Sequence, residues 1–277
     1  MDWSQSLHCD QYLLELFGYL ETRKHRSGNS IASLPGFHES SFHRNLNMSD
    51  KLVAFHSAEG RNLFAESGCK EAFWQLAQYY NTQPDPGSCG VASCMMVLNA
   101  MHIARPLSSI YGDHKLFTPA NFFTPEVEAV VSRKNVSSSG MTLEQLARAI
   151  ATYPVNVTCR HATPGLQSTF RNEIRESLQC PGEFVIVNYL RKVIGQQTGG
   201  HISPLGAYHE GADMALILDV SNYKYPWTWV KTEMLWQAME AADNDVTRGY
   251  VIVTSKNDDT ACNLPEPLSG KFTPPHL

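Results

Sequence analysis

The segment from Asn81 to Ser93 reads NTQPDPGSCGVAS, and it places Cys89 where a loop rich in proline and glycine runs into a long apolar stretch. The stretch continues as CMMVLNAM, which predicts a buried helix over residues 89 to 101. A thiol at the start of a helix is favoured as the thiolate, because unpaired backbone N–H groups and the helix dipole stabilise negative charge there. Cys89 is therefore either a nucleophile or a small buried apolar side chain.

Gln83 lies six residues before Cys89, across a segment that Pro84 and Pro86 hold in a fixed shape. Its side-chain amide and the backbone N–H of Cys89 are groups of the kind that bind an oxyanion. A glutamine on a loop is by itself an ordinary exposed residue. The spacing to the cysteine is what makes Gln83 a candidate.

His201 is the histidine best placed to act as a base, because it follows a Gly-Gly pair and opens a strand-like run. The turn signal HEGAD, residues 209 to 213, predicts a hairpin in which the numbers of opposed residues sum to about 420 to 422. His201 then faces a window that contains Asp219, on the same face of the hairpin. We therefore expect an imidazole–carboxylate contact, with a purely structural His–Asp bond as the alternative.

Composition excludes several classes of function. The chain has 277 residues, 43% of them apolar, and a formal net charge of -5 with no dense basic run, so it is not expected to bind nucleic acid. No uninterrupted apolar segment reaches the length of about 18 residues that a membrane span needs, and the first 30 residues lack a secretory pattern. Seven cysteines without CxxC pairs argue against a disulfide framework and a structural zinc site. A cytoplasmic protein without a metal site is expected.

The order of sequence patterns predicts an α+β fold. Helical patterns dominate to about residue 180, and MTLEQLARAIATY has the capping-box pair Thr142 and Gln145. Short β-branched runs follow at 183–190, 214–220 and 249–255. We expect a helical first lobe that carries the nucleophile helix and a second lobe built on an antiparallel sheet.

The same patterns divide the chain into three regions. Residues 1–50 read as an appendage with a short amphipathic helix at 11–22. Residues 51–256 form the predicted catalytic domain, and 257–277 read as a loose C-terminal tail.

The order glutamine, cysteine, histidine, aspartate is that of papain-like thiol acyltransferases. The segments TQPDPGSCGVASCMMVLNAM, FTPANFF, GMTLEQLARAI, EFVIVNYLRKVIGQQTGGHISPLGAYH and LILDVSNYKYPWTWV closely resemble the phytochelatin synthase family. The resemblance covers roughly residues 54 to 255. It implies a papain-like fold of two lobes.

The resemblance implies that the substrate is glutathione, cut at its Cys–Gly amide through a thioester on Cys89. His201 would protonate the departing glycine, and Asp219 would orient the imidazole. Gln83 and the Cys89 N–H would hold the oxyanion. Water would then release γ-Glu-Cys, whereas the amine of a second glutathione would give a phytochelatin.

The resemblance also implies the residues that bind substrate. Asp243 and Arg248 match positions that hold the γ-glutamyl head, with Asn188, on the strand before the Gly-Gly turn, and Gly200, within that turn, as further candidates. Lys224 is a candidate on the acceptor side. The resemblance further implies that no cofactor is bound tightly and that cadmium or zinc ions act as activators through the thiolates of glutathione. A homodimer is expected by analogy.

The sequence departs from the family in ways that favour hydrolysis over transfer. Asn222 occupies a position where family members often carry an arginine that engages the second glutathione, although Arg191 and Lys192 remain. The Cys-rich C-terminal region of plant-type members is absent, as in short bacterial forms that resemble deglycinating hydrolases.

Two alternatives remain at this stage. The chain could be a cysteine peptidase that cleaves a Gly-containing peptide, like bacteriocin leader-processing enzymes, which share a glutamine six residues before the cysteine. It could also be a non-catalytic protein that binds thiols or metal ions on the same scaffold.

Overall fold

A computed structural model describes residues 52–197 and 199–256. The predicted appendage over 1–50, its helix at 11–22 and the tail over 257–277 lie outside these residues. All described residues belong to one compact unit of the chain.

The described residues form eight helices. They are α1 Ala58–Glu66, α2 Glu71–Gln78, α3 Cys89–Ala100, α4 Pro125–Val130, α5 Arg133–Ser139, α6 Leu143–Ile150, α7 Gln167–Gln179 and α8 Thr232–Glu240. The predicted helix at residues 89 to 101 is confirmed, and it begins at Cys89. The capping box of Thr142 and Gln145 is confirmed as well, with both reciprocal bonds at the start of α6.

The same residues form nine strands. They are β1 Leu52–Ala54, β2 Val155–His161, β3 Phe184–Leu190, β4 Gly200–His209, β5 Met214–Ile217, β6 Thr228–Lys231, β7 Ala242–Asp243, β8 Val246–Thr247 and β9 Gly249–Ser255. Seven of these strands build one sheet in the order β1-β6-β5-β4-β3-β9-β2, and every pairing in it is antiparallel. Helices on an antiparallel sheet confirm the α+β class.

Both edge strands of the large sheet, β1 and β2, lie before residue 180 in the chain. β1 pairs with β6 and β2 pairs with β9, so the expectation that helices dominate up to residue 180 was incomplete. β2 has the sequence VNVTCRH, which is half polar and mostly only partly buried. Such a strand is stable only through its partner β9, which lies far along the chain, and its own apolar signal is weak.

The hairpin of β4 and β5 has nearly the predicted register. The partners next to the turn, His209 and Met214, have numbers that sum to 423, and beyond a bulge Leu205 pairs with Ile217 at a sum of 422. β5 ends at Ile217, so the ladder stops before it reaches His201. Asp219 therefore lies on the segment that follows the strand.

Helix α3 lies wholly in the interior, with all twelve of its residues buried. It packs against β4, and Ser93 joins the two elements. The Ser93 hydroxyl lies 2.8 Å from the carbonyl oxygen of Cys89 and 3.1 Å from that of Ile202. The start of the helix is thus held directly beside the strand that carries His201.

Gly249→Ala tests the packing of β2 on β9. A Cβ at Gly249 would lie 2.0 Å from the backbone oxygen of Arg160, so the two strands would have to separate. We expect the free energy of unfolding to fall by about 2 to 3 kcal/mol, measured by urea denaturation. In Gly68→Ala the added Cβ meets nothing within 4 Å, and the change should stay within about 0.5 kcal/mol. Equal stability of the two variants would contradict this packing.

Candidate active site

Cys89 and His201 come together at the wall of a cavity of about 770 Å³. The thiol is the first residue of α3, and the imidazole follows the first residue of β4. Their side chains are hydrogen-bond partners, and both residues are buried. The cavity leaves one side of this pair open to a ligand of small-molecule size.

The second ring nitrogen of His201 faces a carboxylate. His201 Nε2 lies 2.9 Å from Asp219 Oδ1 and 2.9 Å from the hydroxyl of Ser203. The nitrogen left for the Cys89 sulfur is therefore Nδ1. The structure thus brings together the three residues that the sequence singled out, in the order thiol, imidazole, carboxylate.

Asp219 is held by more donors than the sequence analysis anticipated. Arg191 makes two hydrogen bonds to the carboxylate, of 2.7 and 2.9 Å, and the backbone N–H of Ser221 donates to Oδ1 at 2.8 Å. Asp219 is only 1% exposed, so its charge needs such partners. Arg191, noted in the sequence only as a cation that remains, is therefore the counter-charge of Asp219. The need of a buried aspartate for a counter-charge was the one sequence signal for this contact.

These contacts decide the protonation states of the group. Burial alone would raise the pKa of the Cys89 thiol, but the hydrogen bond and charge of His201 outweigh it and hold that pKa below its usual value. Burial would lower the pKa of His201, but the Asp219 carboxylate and the thiolate raise it instead. The pKa of Asp219 is held well below its usual range against burial, by His201 and Arg191. The favoured state is thiolate, imidazolium and carboxylate.

Gln83 is buried beside this group, at 4% exposure. Its side-chain Nε2 donates to the carbonyl of Asp85 at 2.7 Å, and its Oε1 accepts from the hydroxyl of Ser221 at 2.5 Å. An amide nitrogen carries two hydrogens, so one N–H of Gln83 remains for a further acceptor. The backbone N–H of Cys89 lies in the first turn of α3, where no intrahelical acceptor exists.

A charged pair lies on the wall of the same cavity. Arg248 contacts Asp243 at 2.8 Å and donates to the Asn188 side-chain oxygen at 3.1 Å. A Cβ at Gly200 would lie 2.9 Å from the guanidinium, so the glycine permits this close approach. Among the described residues, Asn188 Nδ2 and Arg248 Nε have no hydrogen-bond partner although both are buried. Unsatisfied buried donors on a cavity wall indicate a place for a polar ligand.

Lys224 is the one predicted binding residue that the structure leaves outside this cavity. It is exposed and does not line the wall. Asn222, which replaces the expected arginine, accepts a hydrogen bond of 2.9 Å from Thr82. Lys192 is exposed as well.

The other described cysteines differ from Cys89. Cys69, Cys94 and Cys159 are free thiols, and burial raises the pKa of each of them. Cys180 is disulfide-bonded, so the expectation of reduced cysteines is wrong for this residue. Cys89 is thus the one thiol in the described ranges whose pKa is lowered.

The described ranges contain neither a candidate metal-binding cluster nor a helix that could cross a membrane. Within residues 52–197 and 199–256, no three or more His, Cys, Asp and Glu side chains cluster so that they could bind a metal ion. No helix in that part of the chain is long and apolar enough to cross a bilayer.

Comparison with known proteins adds the family. The sequence model described as phytochelatin synthase matches residues 43–250. The chain is 32% identical over 212 residues to glutathione gamma-glutamylcysteinyltransferase 3 of Lotus japonicus, an alignment that covers 74% of this chain and 43% of that protein. It is 33% identical to glutathione gamma-glutamylcysteinyltransferase 1 of Arabidopsis thaliana, with 74% and 42% covered. For the glutathione gamma-glutamylcysteinyltransferase of Schizosaccharomyces pombe the identity is 26%, with 73% and 49% covered.

The chain belongs to the phytochelatin synthase family. It spans less than half the length of these relatives, at most 49%. The matched range, residues 43–250, contains Cys89, His201, Asp219 and Arg248.

The lowered pKa of Cys89 can be tested by alkylation with iodoacetamide. We expect the ratio of the alkylation rate at about pH 6 to that at about pH 9 to be higher for Cys89 than for a free thiol of pKa about 8.5, which is almost fully protonated at about pH 6. His201→Ala removes the bond and charge that lower this pKa and leaves the burial that raises it. The rate at pH 6 should then fall at least about tenfold. Mass spectrometry of the peptide that contains Cys89 measures the rate.

Cys94→Ala is the matched control, because Cys94 lies on the same helix and burial raises its pKa. Its pH profile should equal that of the wild type. If the pH profile of the wild-type rate equals that of a free thiol, the thiolate–imidazolium pair does not exist.

Proposed function

We propose that this chain is a thiol acyltransferase that removes glycine from glutathione, in a papain-like fold with the nucleophile helix α3 on one side of the cleft and the sheet on the other. The observation that carries the proposal is the buried series of Cys89, His201 and Asp219. Its thiol and imidazole line a cavity whose other charged side chains are those of Asp243 and Arg248. The family and the names of its members supply glutathione as the substrate.

In the acylation step, the Cys89 thiolate attacks the carbonyl carbon of the Cys–Gly amide. The C–S bond forms as the carbonyl π electrons move to oxygen, and the Cys89 N–H and the free N–H of Gln83 stabilise this oxyanion. The oxyanion collapses while the imidazolium of His201 gives its proton to the leaving nitrogen. Glycine departs, and γ-Glu-Cys remains as a thioester on Cys89.

In the second step, the now neutral His201 takes a proton from the acceptor. Water gives free γ-Glu-Cys, and the α-amine of a second glutathione gives a peptide that is longer by one γ-Glu-Cys unit. Asp219 keeps the imidazole of His201 oriented in both steps, because Nε2 of the ring remains hydrogen-bonded to the carboxylate while Nδ1 faces the sulfur.

The γ-glutamyl head carries an ammonium and a carboxylate, and the cavity offers both complements. We assign the ammonium of the γ-glutamyl head to Asp243 and its carboxylate to Arg248. These two side chains form a salt bridge of 2.8 Å, so opposite charges lie side by side. Asn188 lines the same cavity, and its Nδ2 has no hydrogen-bond partner among the described residues. These contacts lie beside the reacting sulfur and select a zwitterionic end.

Water is the favoured acceptor. Arg191 is bound to Asp219, Asn222 is paired with Thr82, and Lys224 lies outside the cavity, so few cations face a second glutathione. Transfer is the weaker activity. Cadmium or zinc enters as part of the acceptor, as a thiolate of glutathione, and therefore increases transfer more than cleavage.

The nucleophile is tested by trapping the acyl intermediate. After glutathione is mixed with the protein and quenched in acid, mass spectrometry should find a γ-Glu-Cys adduct on the peptide that contains Cys89. Cys89→Ala should give no adduct and no glycine, whereas Cys159→Ala should behave as the wild type. An adduct on another cysteine, or glycine release by Cys89→Ala, would assign the chemistry elsewhere.

The same assay separates the alternative activities. A peptide with an internal Gly-Gly bond should stay intact under conditions that release glycine from glutathione. Cleavage of the peptide alone would favour the peptidase interpretation, and the absence of any adduct would favour a non-catalytic protein.

Arg248→Lys tests the γ-glutamyl subsite. Lysine keeps the charge but cannot bond Asp243 and Asn188 together with a ligand carboxylate. A lost charge-assisted bond of about 1.5 to 3 kcal/mol corresponds to a rise of about 10- to 150-fold in KM for glutathione. Alkylation of Cys89 by iodoacetamide should not change, because Arg248 makes no contact with the sulfur in the described structure. A normal KM would remove Arg248 from the binding site.

A further inference from the structure

Ser221 connects two parts of the reactive site that are far apart in sequence. It is 2% exposed, its backbone N–H donates to Asp219 Oδ1 at 2.8 Å, and its hydroxyl donates to Gln83 Oε1 at 2.5 Å. One residue therefore touches both the carboxylate that orients His201 and the amide assigned to the oxyanion.

The orientation of the Gln83 amide follows from these contacts. The carbonyl of Asp85 can only accept, so the atom that lies 2.7 Å from it must be the nitrogen. The oxygen of the amide then faces Ser221, whose hydroxyl must donate to it. Without that hydroxyl, a buried amide oxygen would lose its one hydrogen-bond partner among the described residues, and the amide would be held at one end only.

The segment around Gln83 is joined to the segment after β5 by a series of hydrogen bonds. The Tyr80 hydroxyl donates to the Asp219 carbonyl at 2.9 Å, and the Gln83 N–H donates to the Val220 carbonyl at 2.9 Å. These bonds place the backbone of Gln83. The bond from Ser221 is the one that places its side-chain oxygen, and so decides where the free N–H points.

We propose that Ser221 is a positioning residue for the oxyanion site: its hydroxyl holds the Gln83 amide so that the free N–H faces the reacting carbonyl next to Cys89. Ser221 itself does not touch the substrate. The inference rests on the proposed thioester chemistry, and it predicts that the contribution of Ser221 to the rate passes through Gln83.

The test compares two reagents that react with the same thiol. p-Nitrophenyl acetate acylates a thiolate through an oxyanion, whereas iodoacetamide alkylates it without one. We expect Ser221→Ala to slow acylation of Cys89 and glycine release by about 5- to 50-fold, less than the about 10²- to 10³-fold cost of losing a whole oxyanion donor. Alkylation should stay within about twofold of the wild type, because the Ser221 N–H and its bond to Asp219 are retained in alanine.

A double-mutant cycle with Gln83→Ala decides the route of the effect. Ser221→Ala should slow acylation no further once Gln83 is alanine. Ser203→Ala is the matched control: this buried serine contacts His201 and not Gln83, so any loss it causes should persist in the Gln83→Ala background.

Three results would overturn the proposal: unchanged acylation in Ser221→Ala, equal slowing of acylation and alkylation, or additive losses for Ser221→Ala and Gln83→Ala. Acylation by p-nitrophenyl acetate depends on the oxyanion site whatever the natural substrate of the thiol is. Failure of the proposed function would appear differently, as wild-type protein that reacts with the ester but releases no glycine from glutathione.

Discussion

The ionised carboxylate of Asp219 is the group on which the reactive site depends. A charge that is 1% exposed is expensive, and it is tolerated only because Arg191, His201 and the Ser221 N–H all donate to it. The negative charge then raises the pKa of His201, and the charged imidazole lowers that of Cys89. Each protonation state in the series is a consequence of the one before it.

Arg191 makes this arrangement rigid. Its guanidinium makes two bonds to Asp219, donates to Gln196 and lies over the ring of Tyr225, with 5.0 Å between the guanidinium carbon and the ring centroid. A planar, doubly bonded guanidinium fixes the angle of the carboxylate as well as its charge state. The imidazole orientation is set by that angle, so the thiol–imidazole contact depends on a residue that never reaches the substrate.

Two separate segments of chain supply the two ends of the site. Helix α3 carries Cys89 and is tied to β4 through Ser93, while the segment after β5 carries Asp219 and is tied to Gln83 through Ser221. The charged pair of Asp243 and Arg248 lies on a third segment, next to β9. The cavity forms where these segments meet, so Cys89 and His201 share its wall with Asp243 and Arg248.

The sequence by itself determined the local features. The helix that begins at Cys89, the capping box at Thr142 and the hairpin before Asp219 were all predicted, because each is decided by neighbouring residues. It also named Cys89, His201, Asp219 and Gln83, since their spacing and the family resemblance coincide. The weakly apolar strand β2 escaped detection, because its partner β9 lies far away in the chain.

Only the tertiary structure decided how charges pair. The sequence did not pair Arg191 with Asp219, whose counter-charge it is. Lys224 was expected to bind substrate, but it lies outside the cavity. No sequence pattern indicated that Ser221 contacts Asp219 and Gln83. A side chain's hydrogen-bond partner depends on which distant segments meet in space, and the electrostatic cost of burial acts only after they have met.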